Sequence, residues 1–173
     1  MLQLILGGAR SGKSRLAERL AADTGLPVMY IATSQPQDAE LNARVALHRQ
    51  RRPVAWGLIE EPLALAQVLR DNAAPDRCLL IDCLTLWLTN LLLLDDPQRL
   101  VAEREALLEQ VAGWPGELIF VSNETGLGVV PLGELTRRYV DEAGYLHQAL
   151  AERCQRVVLT VAGLPLTLKG TAL

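Results

Sequence analysis

Gly7, Gly12, Lys13 and Ser14 stand in the stretch GGARSGKS (7–14), at the spacing G-x-x-x-x-G-K-[ST]. Such a stretch points to a nucleoside triphosphate. Glycines let the backbone curl so that its N–H groups face inward on phosphate oxygens. Gly8, Ala9, Arg10 and Ser11 would form the crown of that loop. A helix beginning near Lys13 would aim its positive end at the same anion. Lys13 has the reach to serve the terminal phosphates catalytically, and Ser14 offers a hydroxyl to Mg²⁺. Asp82 ends the apolar run CLLID (78–82) and fits the carboxylate that approaches the metal from another strand. Without the phosphate loop, an Asp in that position would read as a turn or cap residue.

A second chemical candidate is His48, within DAELNARVALHRQRRP (38–53). As a helix, this segment puts Leu41, Val45, His48 and Arg52 on one stripe. Arg44, Arg49, Arg51 and Arg52 surround the ring; their charge disfavours imidazolium and keeps a neutral nucleophile. The same arginines suit a triphosphate. A helix C-terminus would act oppositely and favour the charged ring. From these residues alone, His48 is either a nucleophile or a solvated histidine at the basic end of a helix. SNETGLGVVP (122–131) also has two readings. It is a plain strand-to-helix connection, or a loop at the carboxyl ends of the strands with Asn123 and Glu124 as polar contacts.

These residues need a scaffold, and the apolar patterning supplies one. Short runs at 2–6, 28–32, 78–82, 117–122 and 156–163 read as strands covered on both faces. Helical spacing predicts helices at 14–24, 38–51, 62–72, 84–94, 98–112 and 134–154. An extra strand is expected at 54–60, and 164–170 is expected to pair back as a C-terminal hairpin. Residues 72–77 and 113–117 read as surface turns. The alternation predicts an α/β, P-loop NTPase-like fold: a mostly parallel sheet flanked by helices on both faces. The expected organisation is one catalytic domain over residues 1–173.

Bulk composition narrows the function classes. Half of the 173 residues are hydrophobic, which excludes a disordered chain. A net charge of −3 argues against a general nucleic-acid binder. Cys78, Cys83 and Cys154 fit no disulfide framework or zinc pattern and read as buried small hydrophobes in a reducing compartment. MLQLILGG lacks a basic start and a full signal-peptide core. The apolar stretch 79–94 is interrupted by Asp82 and Asn90 and is too short to span a bilayer. A cytoplasmic protein without a membrane span is the expectation.

Several motifs occur together and in order: GGARSGKS, YIATSQ (30–35), HRQRRP (48–53), Trp56 with Glu60, LLID (79–82) and VSNETGLGVVP (121–131). Over about residues 2–169 this order resembles the bifunctional adenosylcobinamide kinase / adenosylcobinamide-phosphate guanylyltransferase family of cobalamin biosynthesis. The resemblance implies that ATP or GTP phosphorylates the aminopropanol hydroxyl of adenosylcobinamide. GTP then donates GMP to that phosphate through a guanylylated histidine, His48. It implies nucleotide contacts from residues 7–14, Ala32, Thr33, Ser34, Arg49, Gln50, Arg51, Arg52, Glu60 and Asp82. Mg²⁺ would be held by Ser14 and Asp82. Whether Glu60 and Asp82 serve ribose, base or metal is left open. It also implies a homo-oligomer, a trimer, with adenosylcobinamide and its phosphate as substrates. Two departures are visible: GYLHQ (144–148) carries His147 where the family reads Asn, and the segment after His48 is richer in arginine. His147 is expected to fill that place passively. The rival functions are a P-loop small-molecule kinase without guanylyl transfer and a non-enzymatic nucleotide sensor.

Overall fold

A computed structural model describes residues 1–35 and 53–173. The expected helix at 38–51, with His48 and its arginines, lies outside the described residues.

Seven strands form one sheet: β1 Leu2–Gly7, β2 Val28–Ala32, β3 Gly57–Glu60, β4 Cys78–Asp82, β5 Glu117–Asn123, β6 Arg156–Val161 and β7 Leu164–Lys169. Their order is β3-β2-β4-β5-β1-β6-β7. Every pairing is parallel except the β6–β7 hairpin. The described helices are α1 Lys13–Asp23, α2 Leu65–Asn72, α3 Leu84–Leu93, α4 Pro97–Gln110 and α5 Glu134–Arg153.

The period of two sorts the central strands between two cores. Ile5, Tyr30, Leu80, Ile119 and Val158 face α1 through Leu16, Ala17 and Ala21. Leu4, Ile31, Leu79, Phe120 and Val157 face α2 to α5. All six residues of β1 are buried, the signature of a strand covered on both faces. Each fully buried Leu or Ile contributes about 1.5–3 kcal/mol before conformational entropy is counted. The apolar stretch after residue 78 divides as expected into buried β4 and buried α3. Among the described residues no helix is long and apolar enough to cross a membrane.

Local chemistry sets the boundaries. α4 begins where the Asp96 carboxylate accepts from the N–H groups of Gln98 and Arg99, both at 3.0 Å, with Pro97 next in line. The second described helix starts at Leu65 and not at the expected Pro62. Glu61 Oε1 accepts from the N–H groups of Leu63 and Ala64, both at 2.8 Å, and holds 62–64 as a turn. Likewise β3 is shorter than 54–60, because Trp56 N–H closes a turn onto the Pro53 carbonyl. The β6–β7 hairpin turns through Ala162 (φ 51°) and Gly163 (φ 80°), the left-handed pair a two-residue turn of this hand requires.

Candidate active site at the carboxyl edge of the sheet

β1 delivers Gly7 to the carboxyl edge, and α1 begins at Lys13. Ser11 N–H donates to the Gly8 carbonyl at 3.2 Å and closes the bend. Two glycines are required here by space and angle. A Cβ on Gly7 would meet Ser11 Oγ and, at 2.7 Å, the Thr160 carbonyl. Gly12 has φ 96°, and a Cβ there would lie 3.2 Å from Gly163 Cα. The loop is held from outside as well. Gly163 N–H donates to the Ser11 carbonyl at 2.8 Å, and Glu124 N–H donates to the Gly7 carbonyl at 3.0 Å. The hairpin turn on one side and the end of β5 on the other therefore fix where the loop's own N–H groups point.

Lys13 is the first residue of α1, and its ammonium donates to the Gly8 carbonyl at 3.1 Å, across the loop. Partial burial lowers its pKa from the ordinary lysine value, while the Asp82 carboxylate and Cys83 oppose that shift. Ser14 follows Lys13, half-buried. Gly8, Ala9 and Arg10 are exposed.

Asp82 ends β4 and pairs in register with Ala32 at the end of β2, which in turn pairs with Glu60 at the end of β3. Three candidate contact positions thus lie in one row. The buried Tyr30 hydroxyl donates to Asp82 Oδ2 at 3.0 Å and fixes that carboxylate. Thr33 is fully buried and works inside the scaffold. Its hydroxyl donates to the Cys83 carbonyl at 2.6 Å and accepts from the Cys83 N–H at 3.1 Å. The Thr33 carbonyl accepts from Asn90 of α3 at 2.8 Å. Ser34 is half-buried and Glu60 exposed. His48, Arg49, Gln50, Arg51 and Arg52 lie outside the described residues.

Sequence reasoning missed Tyr30, Asn90 and Gly163. Their contacts with Asp82, Thr33 and Ser11 are long-range, so no local spacing announces them. The only trace is indirect: a polar Asn inside an otherwise apolar helix, and an Ala-Gly pair between two strand patterns.

Ser122, His147 and Glu124 form a chain beside the loop. His147 Nε2 lies 2.7 Å from Ser122 Oγ, and Nδ1 lies 4.0 Å from Glu124 Oε2. The order resembles a hydrolase triad, but Ser122 is only 1% exposed, which denies it a substrate. Burial lowers the His147 pKa below the usual imidazole value, against the opposing pull of Glu124. The ring is a buried, neutral hydrogen-bonding group on a packing helix. The cysteine thiols are also unsuited to attack. Burial pushes Cys78 and Cys154 up to about 12 and Cys83 up to about 11.

No cluster of three or more His, Cys, Asp or Glu side chains suited to a metal occurs among the described residues. Ser14 and Asp82 offer oxygen only, one hydroxyl and one carboxylate. That donor set suits Mg²⁺, which takes most of its remaining ligands from substrate phosphates and water.

The comparisons with known proteins agree in direction. The family model described as cobinamide kinase / cobinamide phosphate guanyltransferase matches residues 3–168. The bifunctional adenosylcobalamin biosynthesis protein CobP of Pseudomonas aeruginosa is 71% identical over 173 residues, covering 100% of both chains. The bifunctional adenosylcobalamin biosynthesis protein CobU of Escherichia coli is 38% identical over 182 residues, covering 98% of this chain and 100% of its own. Among solved structures, the flagellar accessory protein FlaH of Methanocaldococcus jannaschii aligns with a TM-score of 0.51 at 16% identity, over 98% of this chain and 78% of that one. That likeness concerns the P-loop NTPase-like fold alone.

Proposed function

The chain belongs to the cobinamide kinase / cobinamide phosphate guanyltransferase family, and from that premise we propose that it carries out two successive transfers on adenosylcobinamide. In the first, the aminopropanol hydroxyl attacks the γ-phosphate of ATP or GTP and the nucleoside diphosphate leaves. In the second, a nitrogen of His48 attacks the α-phosphate of GTP and pyrophosphate leaves. The phosphate of adenosylcobinamide phosphate then displaces the histidine, giving adenosylcobinamide-GDP. The covalent P–N stage divides one difficult displacement into two.

The backbone N–H groups of residues 7–14 bind the phosphates, and Lys13 neutralises charge as it develops on the transferred group. Mg²⁺, held by Ser14 and Asp82, would neutralise charge on the phosphate oxygens. Ala32, Thr33, Ser34 and Glu60 contribute the nucleotide wall along the ends of β2 and β3. Thr33 contributes from beneath that wall, since it is buried with its hydroxyl bonded to Cys83 and its carbonyl to Asn90. Arg49, Gln50, Arg51 and Arg52 grip the triphosphate beside His48. The working state is a cytoplasmic homotrimer.

The observation that carries this reading is the meeting of the phosphate loop, Lys13 and Asp82 at one edge, in a chain whose full length matches a bifunctional relative. The test supplies adenosylcobinamide, Mg²⁺ and GTP carrying label on the α-phosphate. The expected products are the GDP derivative and an acid-labile, base-stable label on the protein that is lost in His48→Ala. Phosphorylation without protein label would leave a simple kinase. GTP binding with no turnover would leave a sensor.

A further inference from the structure

The loop that follows β5 is built unlike a plain connection. Glu124 N–H anchors its start to the Gly7 carbonyl, and Gly126 N–H donates to Glu124 Oε1 at 2.6 Å. Its end is tied down by Arg137, which donates to the carbonyls of Pro131 and Leu132. Between these ties Leu127, Val129, Val130 and Leu132 are 82%, 97%, 70% and 97% exposed. Four large aliphatic side chains are thus presented to water by a loop fixed at both ends. From Thr125 to Gly133 the chain carries no charged residue.

We infer that this lip is the seat of the corrinoid body of the acceptor; the inference rests on the functional reading above. Three observations select that occupant. The lip springs from the residue bonded to Gly7, so it borders the mouth where an acceptor hydroxyl must meet a terminal phosphate. It is neutral, which suits a methylated macrocycle with amide arms and does not suit a second polyphosphate. It sets four large exposed aliphatic side chains within residues 127–132, apolar surface suited to an acceptor much larger than its reacting arm. Other exposed aliphatics are placed differently: Leu166 and Leu168 run along β7 from the hairpin turn towards the opposite edge, and Leu93 and Leu94 lie at the far end of α3. Aliphatic contact at the lip would hold the ring while its short arm reaches the phosphates. Binding energy from the non-reacting body is thereby used to orient the hydroxyl.

The test is the full-length variant Leu127→Ser/Val129→Ser/Val130→Ser/Leu132→Ser beside Leu127→Met/Leu132→Met. Equilibrium dialysis of adenosylcobinamide, which is coloured, gives Kd without turnover, and steady-state rates give KM for acceptor and nucleotide separately. The serine variant is expected to raise Kd and acceptor KM at least tenfold. Its nucleotide KM should stay within twofold and its labelling by α-labelled GTP should be unchanged. The methionine variant should bind like wild type. An unchanged Kd in the serine variant would overturn the lip while leaving the enzyme's function intact. A serine variant that falls to smaller species in sedimentation, with Kd unchanged, would make the lip a subunit contact instead. Wild-type protein that does not bind adenosylcobinamide would sink the functional reading, and the lip with it.

Discussion

Two strand-to-helix connections leave neighbouring strands at the same edge, and both are rich in glycine. The first, between β1 and α1, is short, and the glycines at its two ends are hemmed in, although Gly8 between them stands in open space. At Gly7 a Cβ would strike Ser11 and Thr160, and at Gly12 the backbone is left-handed beside Gly163. The second, between β5 and α5, is longer, and Gly128 has nothing within 4 Å of where its Cβ would stand. One connection is shaped around its backbone, which Lys13 bonds back across at the Gly8 carbonyl. The other presents its side chains and uses glycine for the bends between them. On the functional reading proposed above, phosphate oxygens would be read by N–H groups and a neutral organic body by carbon, and the two loops would divide along that line.

Substitutions can break or sharpen that contrast. The largest effect is expected at Lys13→Ala, which should lower phosphoryl transfer at least about 100-fold by removing a charge aimed at the transferred group. Phosphorylation at the wild-type rate would show that the first connection does not hold the reacting phosphate. Next, Gly7→Ala should cost about 1–3 kcal/mol of stability, the range for forcing atoms into a filled space. Gly128→Ala should stay within about 0.5 kcal/mol. Thermal melting of the pair measures the contrast directly, and equal losses would erase it. Tyr30→Phe removes the donor to Asp82 and should cost about 0.5–1.5 kcal/mol by denaturant titration. It should also weaken dependence on Mg²⁺ more than dependence on nucleotide.

The smallest effect concerns pH, and it bears on the border between the two loops, where His147 faces Glu124. The folded ring resists protonation because it is buried, so its pKa lies below the ordinary value of about 6.5 in the unfolded chain. As pH falls through 6.5 the unfolded state takes up a proton before the folded state does. Stability is therefore lost on the acid side and recovered as pH rises. His147→Gln can keep a bond to Ser122 without that proton. Its melting temperature should drop less than that of wild type between pH 7.5 and pH 5.5. Equal drops would assign the acid loss to other groups.

The sheet was legible because its central strands are buried on both faces and so read as unbroken apolar runs. The hairpin was legible because a second apolar run, 164–170, follows the first with no helical pattern between; the expected strand 156–163 ends at Val161, because Ala162 and Gly163 form the turn. The phosphate loop announced itself because its geometry demands glycine at fixed positions. The errors were local: Pro62 to Ala64 resemble a helix start until the Glu61 carboxylate ties two of their N–H groups into a turn. At Thr33, where the resemblance implies a nucleotide contact, the hydroxyl is bonded to Cys83, and that bond gives no local sign in the sequence. The loop 122–131 was legible as a possible ligand loop, but its aliphatic lip was not, for a different reason. Leu127, Val129 and Val130 look like any apolar run, and exposure is a property of the fold rather than of spacing. The role of His48 drew on the resemblance more than on its own surroundings.

The clasp between Gly163 and Ser11 joins the last third of the polypeptide to its opening residues. β1 is flanked by β5 and β6, both made long after it. On the ribosome, therefore, β1 emerges before either neighbour. Its glycine bend acquires its outer brace only after β6 has been translated. A nascent chain stalled before residue 156 should consequently lack a mature anion cradle, however complete its motif. Loop closure over so many residues makes this a slow assembly, for which late capture of a nucleotide is the natural reporter.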